Sequence, residues 1–149
     1  MRFALIGAFD RYNIGDMLFP LVVGRLLHGV QGASVDYYGL IESDYSRFGA
    51  VKTKAVSELL AEQGRRERTC AVLVGGEILA ADWIDMLGNM GRVPEGSSIT
   101  APDSRATTDL AHLRSQRQLG YKHDMPWLLT SSDFLEPIPV CYLGAGVLP

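Results

Sequence analysis

Residues 3–27, FALIGAFDRYNIGDMLFPLVVGRLL, decide the fold of this chain. The apolar run 3–6, which is bounded by Gly7, predicts a buried strand. Apolar side chains then recur three or four positions apart and predict one stripe of an amphipathic helix, at Leu18, Leu21, Val22 and Leu26. Asp16 is predicted to cap this helix, because its carboxylate can accept hydrogen bonds from the first backbone N–H groups. Since proline is tolerated in the first turn, Pro20 predicts a helix that does not begin much before Asp16.

The order of strand, glycine-bearing bend and helix start has two interpretations. Free backbone N–H groups and the positive end of the helix dipole make such a bend suitable for binding an anion. The alternative is a βα turn that connects two elements and binds nothing. The local pattern leaves both interpretations open.

Composition excludes several classes of function. The 149 residues are 47% apolar and 21% charged, which is ordinary for a globular protein of one domain. A net charge of −3 argues against a nucleic-acid partner, because binding nucleic acid requires a basic face. No apolar run is long enough to cross a bilayer, so we expect no stable membrane insertion. We expect a cytoplasmic location, either free or peripheral to the inner face of the membrane.

The cysteines and histidines show no spacing typical of a metal site or a disulfide framework. Cys70 and Cys141 each lie in an apolar run and are predicted to be small core residues in a reducing compartment. His28, His112 and His123 are far from one another and from both cysteines. The sequence therefore predicts no metal site.

The rest of the chain repeats the order of strand, turn and helix, which predicts a parallel sheet. Strands are predicted over 33–38, 69–74 and 140–143, and helices over 52–63, 79–90 and 108–119. The stretch 91–107 is predicted to be a mobile loop or lid, and 120–139 an irregular segment anchored by Trp127 and Phe134. The fold class is α/β, with one Rossmann-like domain over residues 1–149 and helices on both faces of the sheet.

Candidate site residues lie where the predicted strands end, because ligands of open α/β sheets bind outside the carboxyl ends of the strands. Asp10 and Glu77 are the candidate general bases, since removing a hydroxyl proton requires a carboxylate or histidine nearby. For each of the two, a solvated loop charge is the alternative. Candidates for binding substrate are Gly7, Arg11, Asn13, Gly15, Asp16, Gly75, Gly76, Gly144 and Gly146. The alternatives are tight turns for the glycines, a turn brace for Asn13 and a helix cap for Asp16.

Three motifs of the chain resemble the polysaccharide pyruvyl transferase family. They are Asn13-Ile14-Gly15-Asp16 after the first strand with Pro20 beyond it, VLVGGEIL at 72–79, and CYLGAGV at 141–147. Their order and spacing resemble the N-terminal half of such enzymes, so the resemblance covers nearly the whole chain.

The resemblance implies one half of a GT-B-like architecture, in which two Rossmann-like domains face each other across a cleft. It implies transfer of pyruvate from phosphoenolpyruvate to two hydroxyls of a saccharide or lipid-linked glycan, forming a ketal. Phosphoenolpyruvate is the donor substrate, and no cofactor is implied. This chain is expected to supply the acceptor side of the cleft in exopolysaccharide or cell-envelope biosynthesis.

The sequence departs from the family pattern in two ways. A second domain that carries most of the basic residues for the donor is expected beyond this chain, and Glu77 replaces the third glycine of the Gly-Gly motif. The isolated chain is therefore expected to be inactive. The alternative is a non-catalytic binding or assembly module, and the uncovered sheet edge leaves homo-oligomerisation open. A dinucleotide site is disfavoured, because Gly7 and Gly15 do not form the G-x-G-x-x-G pattern.

Overall fold

Six strands form one sheet in the part of the chain that the structure, a computed structural model, describes: residues 1–65, 67–76, 78–80 and 126–144. The order across the sheet is β3-β4-β2-β1-β5-β6, and every described pairing is parallel except the one between β3 and β4. The strands are β1 (Arg2–Ile6), β2 (Ser34–Gly39), β3 (Ser43–Asp44), β4 (Lys52–Ala55), β5 (Thr69–Val74) and β6 (Val140–Leu143). The helices are α1 (Ile14–His28) and α2 (Val56–Leu60). The predicted α/β class with a mainly parallel sheet is confirmed.

Both faces of the sheet are covered by apolar groups. On one face, α1 packs through Val23 onto a cluster that includes Leu5, Val72 and Val74. On the other face, α2 and the segment 126–138 pack onto Ala4, Ile6, Ala71 and Leu73. Side chains alternate between the two faces along each strand, so the central strands are apolar on both sides.

The strands most clearly marked in the sequence were predicted correctly. The bounds of β5 and β6 agree with the predictions for 69–74 and 140–143, and β2 is displaced by one residue from its prediction. Trp127 and Phe134 are buried, as predicted for the anchors of the irregular segment. For β5 the prediction succeeded because burial on both faces selects a continuous apolar run.

The prediction of one helix over 52–63 was wrong in its first part. Lys52–Ala55 forms β4, and only Val56–Leu60 is helical. The strand alternates exposed lysines with the fully buried Thr53, whose hydroxyl lies 2.7 Å from Ser43 Oγ. The short β3, which precedes β4, was not predicted. Pairing with β2 and β3, which is remote in sequence, outweighs local helical spacing here.

Two predictions about α1 were wrong in detail. The helix begins at Ile14, so Pro20 is its seventh residue rather than part of its first turn. The buried face consists of Met17, Pro20, Val23 and Gly24. The predicted buried stripe faces solvent instead, with Leu18 54%, Leu21 38%, Val22 58% and Leu26 70% exposed. The helix is apolar on both sides, so periodicity could not select the side that packs on the sheet.

The two cysteines differ in their surroundings. Cys70 on β5 is half-buried, whereas Cys141 on β6 is exposed, so the prediction of a core residue was wrong for Cys141. Burial and the nearby Cys141 raise the pKa of the Cys70 thiol. Cys141 lies on the face that carries α1, at the outer strand of the described sheet, where α1 does not cover it.

Several predictions fall outside the described residues. They are the helix over 79–90 beyond Ala80, the loop 91–107, the helix over 108–119 and the part of the irregular segment at 120–125. Within the described ranges, no helix is both long and apolar enough to span a membrane.

Arg2 and Glu62 join the first strand to the chain that follows α2. The two carboxylate oxygens of Glu62 accept hydrogen bonds from NH1 and NH2 of Arg2, both at 2.7 Å. Arg65 donates from Nε to the same carboxylate at 3.2 Å and from NH2 to the Leu59 carbonyl at 2.9 Å. This network fixes the end of α2 against the sheet.

Glu62→Gln is expected to lower the free energy of unfolding at pH 7. The hydrogen bond from Arg2 lowers the pKa of Glu62 below its ordinary 4.5, so the charged form stabilises the folded state. This contribution is complete above pH 4.5 and is lost as the pH falls through the lower pKa of the folded state. Urea unfolding at several pH values should show a difference between variant and wild type that shrinks in acid. The exposed Glu58→Gln is the matched control, and a difference for Glu62→Gln that stays constant in acid would contradict the assignment.

Candidate functional site

The carboxyl ends of the neighbouring parallel strands β1, β5 and β6 lie side by side at one edge of the sheet, and a glycine follows each strand. Gly7 lies so close to Val74 that an added Cβ would overlap the carbonyl oxygen. A Cβ on Gly75 would lie 2.8 Å from Cγ2 of Ile78. Gly144 has a left-handed backbone with φ of 68° and lies beside the Gly75 carbonyl. The structure thus brings the three predicted strand ends together.

The glycines divide into packed and open positions. Gly7 and Gly75 lie against other atoms of the protein and leave no space for a side chain, which supports their interpretation as tight turns. Within the described residues, a Cβ on Gly76 would meet only Phe19, at 3.9 Å, and one on Gly144 would lie 3.7 Å from the same ring. Gly15 lies in the first turn of α1 and is exposed. Gly76, Gly144 and Gly15 therefore leave room at the edge for a ligand.

Asp10 and Arg11 form an ion pair inside the protein. Oδ1 of Asp10 accepts from Arg11 at 3.1 Å, and Oδ2 accepts from the backbone N–H of Ile41 at 3.0 Å. The Asp10 and Arg11 side chains are 0% and 4% exposed. A Cβ on Gly39 would lie 2.7 Å from Cβ of Asp10, so the end of β2 needs a glycine here. This pair ties the β1–α1 loop to the end of β2.

This geometry bears on the predicted roles of the pair. Both oxygens of Asp10 are engaged within the protein, and its carboxylate balances the charge of Arg11. A general-base role for Asp10 and a substrate-binding role for Arg11 stay predictions. The contacts favour a positioning role for both residues.

The helix cap is Asn13, and the prediction that Asp16 caps α1 was wrong. Asn13 has extended backbone angles, and its Oδ1 accepts a hydrogen bond from the Gly15 N–H at 3.1 Å. Its carbonyl accepts the first helical hydrogen bond, from Met17 N–H at 2.9 Å. Two capping residue types lie three positions apart, and the earlier one takes the role. Asp16 is thereby left without a capping function.

Asp16 lies in the first turn of α1, half-buried at the edge of the sheet. Burial raises the pKa of its carboxyl, and the nearby Asp10 carboxylate acts in the same direction. Arg11 and a hydrogen bond with Asn13 act in the opposite direction. A carboxyl with a raised pKa beside the carboxyl ends of the strands is suited to accept a proton from a bound hydroxyl.

Aromatic side chains near this edge were not identified from the sequence. The rings of Tyr12 and Phe48 meet edge to face with centroids 5.5 Å apart, and Tyr45 lies 6.1 Å from Phe48. Burial and the nearby Asp10 carboxylate raise the pKa of Tyr45, which is therefore neutral at pH 7. The density of aromatic residues between 37 and 48 was the available signal. Phe19, one turn into α1, borders the opposite side of the edge.

The remaining predicted site residues cannot be placed. Glu77 and Gly146 lie outside the described residues. Within the described ranges, no group of three or more histidine, cysteine or acidic side chains is arranged to hold a metal ion.

The charges at this edge favour a neutral ligand over an anion. Among the described residues at this edge, Asp10 and Arg11 balance each other and Asp16 adds an acidic group. An anionic phosphate would meet a surplus of acidic groups in this part of the chain, which argues against a simple anion-binding turn. Amide, carboxyl and aromatic groups together suit the hydroxyl groups and apolar faces of a sugar.

Comparisons with known proteins give no relative for this chain. No family model matches it, and no curated protein and no solved structure matches it.

The cap assignment predicts the order of stability of three variants. Asn13→Ala should lower the free energy of unfolding by about 1 kcal/mol, because the Gly15 N–H loses its acceptor. Asn13→Ser should retain most of the stability, and Asp16→Asn should leave the cap intact. Chemical unfolding followed by far-UV circular dichroism measures the order. If Asp16→Asn cost more than Asn13→Ala, the cap would have been misassigned.

The two kinds of glycine should respond differently to the same substitution. Gly7→Ala should destabilise the fold by about 1–3 kcal/mol, because the added methyl overlaps the Val74 carbonyl. Gly76→Ala, whose new atom would lie 3.9 Å from Phe19, should change the melting temperature little. Thermal unfolding of the two variants makes the comparison, and equal losses would show that both glycines are packing positions.

Proposed function

We propose that this chain is the acceptor-side domain of a polysaccharide pyruvyl transferase-like protein. The observation that carries the proposal is the half-buried Asp16 with its raised pKa, left free of capping by Asn13 and placed beside Asp10–Arg11 at the carboxyl edge. The motif resemblance described above supplies the reaction class. The substrates are phosphoenolpyruvate and a saccharide or lipid-linked glycan.

Ketal formation requires activation of two hydroxyl groups of the acceptor. Two C–O bonds form at C2 of phosphoenolpyruvate, and the bond from C2 to the phosphate oxygen breaks. One hydroxyl proton ends on C3, which becomes a methyl group, and the other leaves with phosphate. Asp16 is assigned to accept the first hydroxyl proton, and Asn13 to orient the sugar.

The donor is assigned to another part of the complete protein. Phosphoenolpyruvate is a strong anion, and the described edge has no excess of basic groups to neutralise it. A facing domain with basic residues, as in a GT-B-like cleft, would complete the site. This chain would then bind the acceptor and supply the base.

Asp16→Asn tests the assignment in the longest protein that the reading frame encodes. Purified protein is incubated with phosphoenolpyruvate and a panel of oligosaccharides, and ketal products are read by mass spectrometry and phosphate release. The variant should lose at least about 100-fold in kcat, because general-base catalysis contributes about that factor or more. The acid limb of the wild-type pH profile, which reports the Asp16 pKa above 3.8, should disappear.

Glu67→Gln is the matched control, because Glu67 is exposed at the opposite edge of the sheet. This variant should keep wild-type turnover and pH dependence. No ketal product with any glycan, together with a melting temperature that phosphoenolpyruvate does not change, would overturn the proposal.

A further inference from the structure

The outward side of α1 carries a continuous apolar ridge. Its members lie four positions apart on successive turns, and each is more than half exposed: Ile14 66%, Leu18 54%, Val22 58% and Leu26 70%. Val30, two residues after the helix ends, continues the same spacing and is 52% exposed. Contiguous apolar surface of this kind marks an interaction site on a folded protein.

The opposite side of α1 is already used in packing on the sheet. Met17, Pro20 and Val23 are buried there, so the helix is apolar on both sides. A helix that is apolar all round is characteristic of a position between two packed layers. The sheet supplies one layer, and the ridge requires another.

We propose that the second layer is the same ridge of a second copy of this chain, packed about a two-fold axis at Val22. The ridge has the symmetry that such an interface requires. Counted from Val22, Leu18 and Leu26 are four residues away on either side, and Ile14 and Val30 are eight. A two-fold axis at Val22 therefore sets Leu18 of each copy toward Leu26 of the other, which makes the surface self-complementary.

The spacing also fits a known mode of helix packing. Rows of side chains four residues apart form the ridges that interdigitate in the commonest class of helix pair, with axes crossing at about −50°. Such packing needs a groove beside the ridge. An open groove of about 440 Å³ lies there, lined by Leu21, Val22, Arg25, His28 and Tyr37.

Charges at the two ends of α1 favour an antiparallel pair. Asp16 lies in the first turn, and Arg25 and His28 lie in the last turn. The two-fold axis directs the basic end of each helix toward the acidic first turn of the other, and it opposes the two helix dipoles. No charged side chain belongs to the ridge itself, so no like charges meet at the axis.

Val22→Glu tests the interface in the intact protein. Sedimentation equilibrium over a concentration series should show a dimer for the wild type. The variant should weaken the dimer by at least about 100-fold in Kd, because two unpaired carboxylates would be buried at the axis. Its melting temperature at low concentration should equal that of the wild-type monomer, since Val22 is exposed within one copy. Leu135→Glu, at an exposed leucine on the other face, is the control and should leave the dimer unchanged.

Cross-linking tests the position of the axis. In a Cys141→Ser background, Val22→Cys should form a disulfide-linked dimer under mild oxidation, because the two copies of residue 22 meet at the axis. Ile14→Cys in the same background should not, because its opposite neighbour is Val30 and not a second residue 14.

Three results would overturn the proposal. A wild-type monomer at every concentration would exclude the second copy. A monomer that Val22→Glu destabilises would indicate that another part of this chain covers the ridge. A dimer that survives Val22→Glu and fails to cross-link at residue 22 would indicate a different interface, such as the edge of β6. All three leave the transferase assay unaffected, so the two proposals fail independently.

Discussion

The buried ion pair between Asp10 and Arg11 is the interaction on which the structure at the carboxyl ends of the strands depends. The Asp10 carboxylate accepts hydrogen bonds from Arg11 in the β1–α1 loop and from the Ile41 N–H just after β2. It therefore joins the loop to the end of β2. Taking two charges out of water is costly, and the cost is offset only where hydrogen bonds satisfy both groups. Removing one partner of a buried pair typically costs about 3–5 kcal/mol, because the other charge is left uncompensated. The loop is therefore held in one conformation, and the start of α1 with it.

That constraint separates two acidic residues that look alike in the sequence. Both carboxylate oxygens of Asp10 have hydrogen-bond partners inside the protein, which favours a positioning role. Asp16 follows six residues later, and because Asn13 is the helix cap, the Asp16 carboxylate is not used as the cap. The distinction comes from tertiary contacts: Gly39 leaves the space that Asp10 occupies, and Gly39 is remote in sequence. A local sequence pattern does not indicate a contact between residues as far apart as Asp10 and Gly39.

The parts of the fold that the sequence predicted are those set by burial along one segment. β5 is apolar on both sides because helices cover both faces, and its bounds followed directly. β4 was missed because its four residues are a strand only through pairing with β2 and β3. The outward side of α1 was misassigned for a related reason, since Leu18 and Val22 satisfy helical periodicity as well as Met17 and Val23 do. The strand ends that carry Gly7, Gly75 and Gly144 were predicted to lie together and do so. The helix cap and the aromatic groups near them were missed, because they depend on contacts that a local pattern does not show.

The composition of α1 indicates that the helix needs packing on both sides. Gly15 and Gly24 are poor helix formers, and Pro20 removes the N–H that would bond the carbonyl of Asp16. Gly24 is nonetheless required, because a Cβ there would overlap the hydroxyl of Tyr37 on β2. The intrinsic helix propensity of these residues therefore contributes little to stability, and burial of apolar side chains has to stabilise the helix. Packing on the sheet supplies part of that stabilisation, and packing of the ridge in the proposed dimer would supply the rest. Because the first turn of α1 carries Asn13 and Asp16, association at Val22 would also stabilise the proposed acceptor site at the end of the same helix.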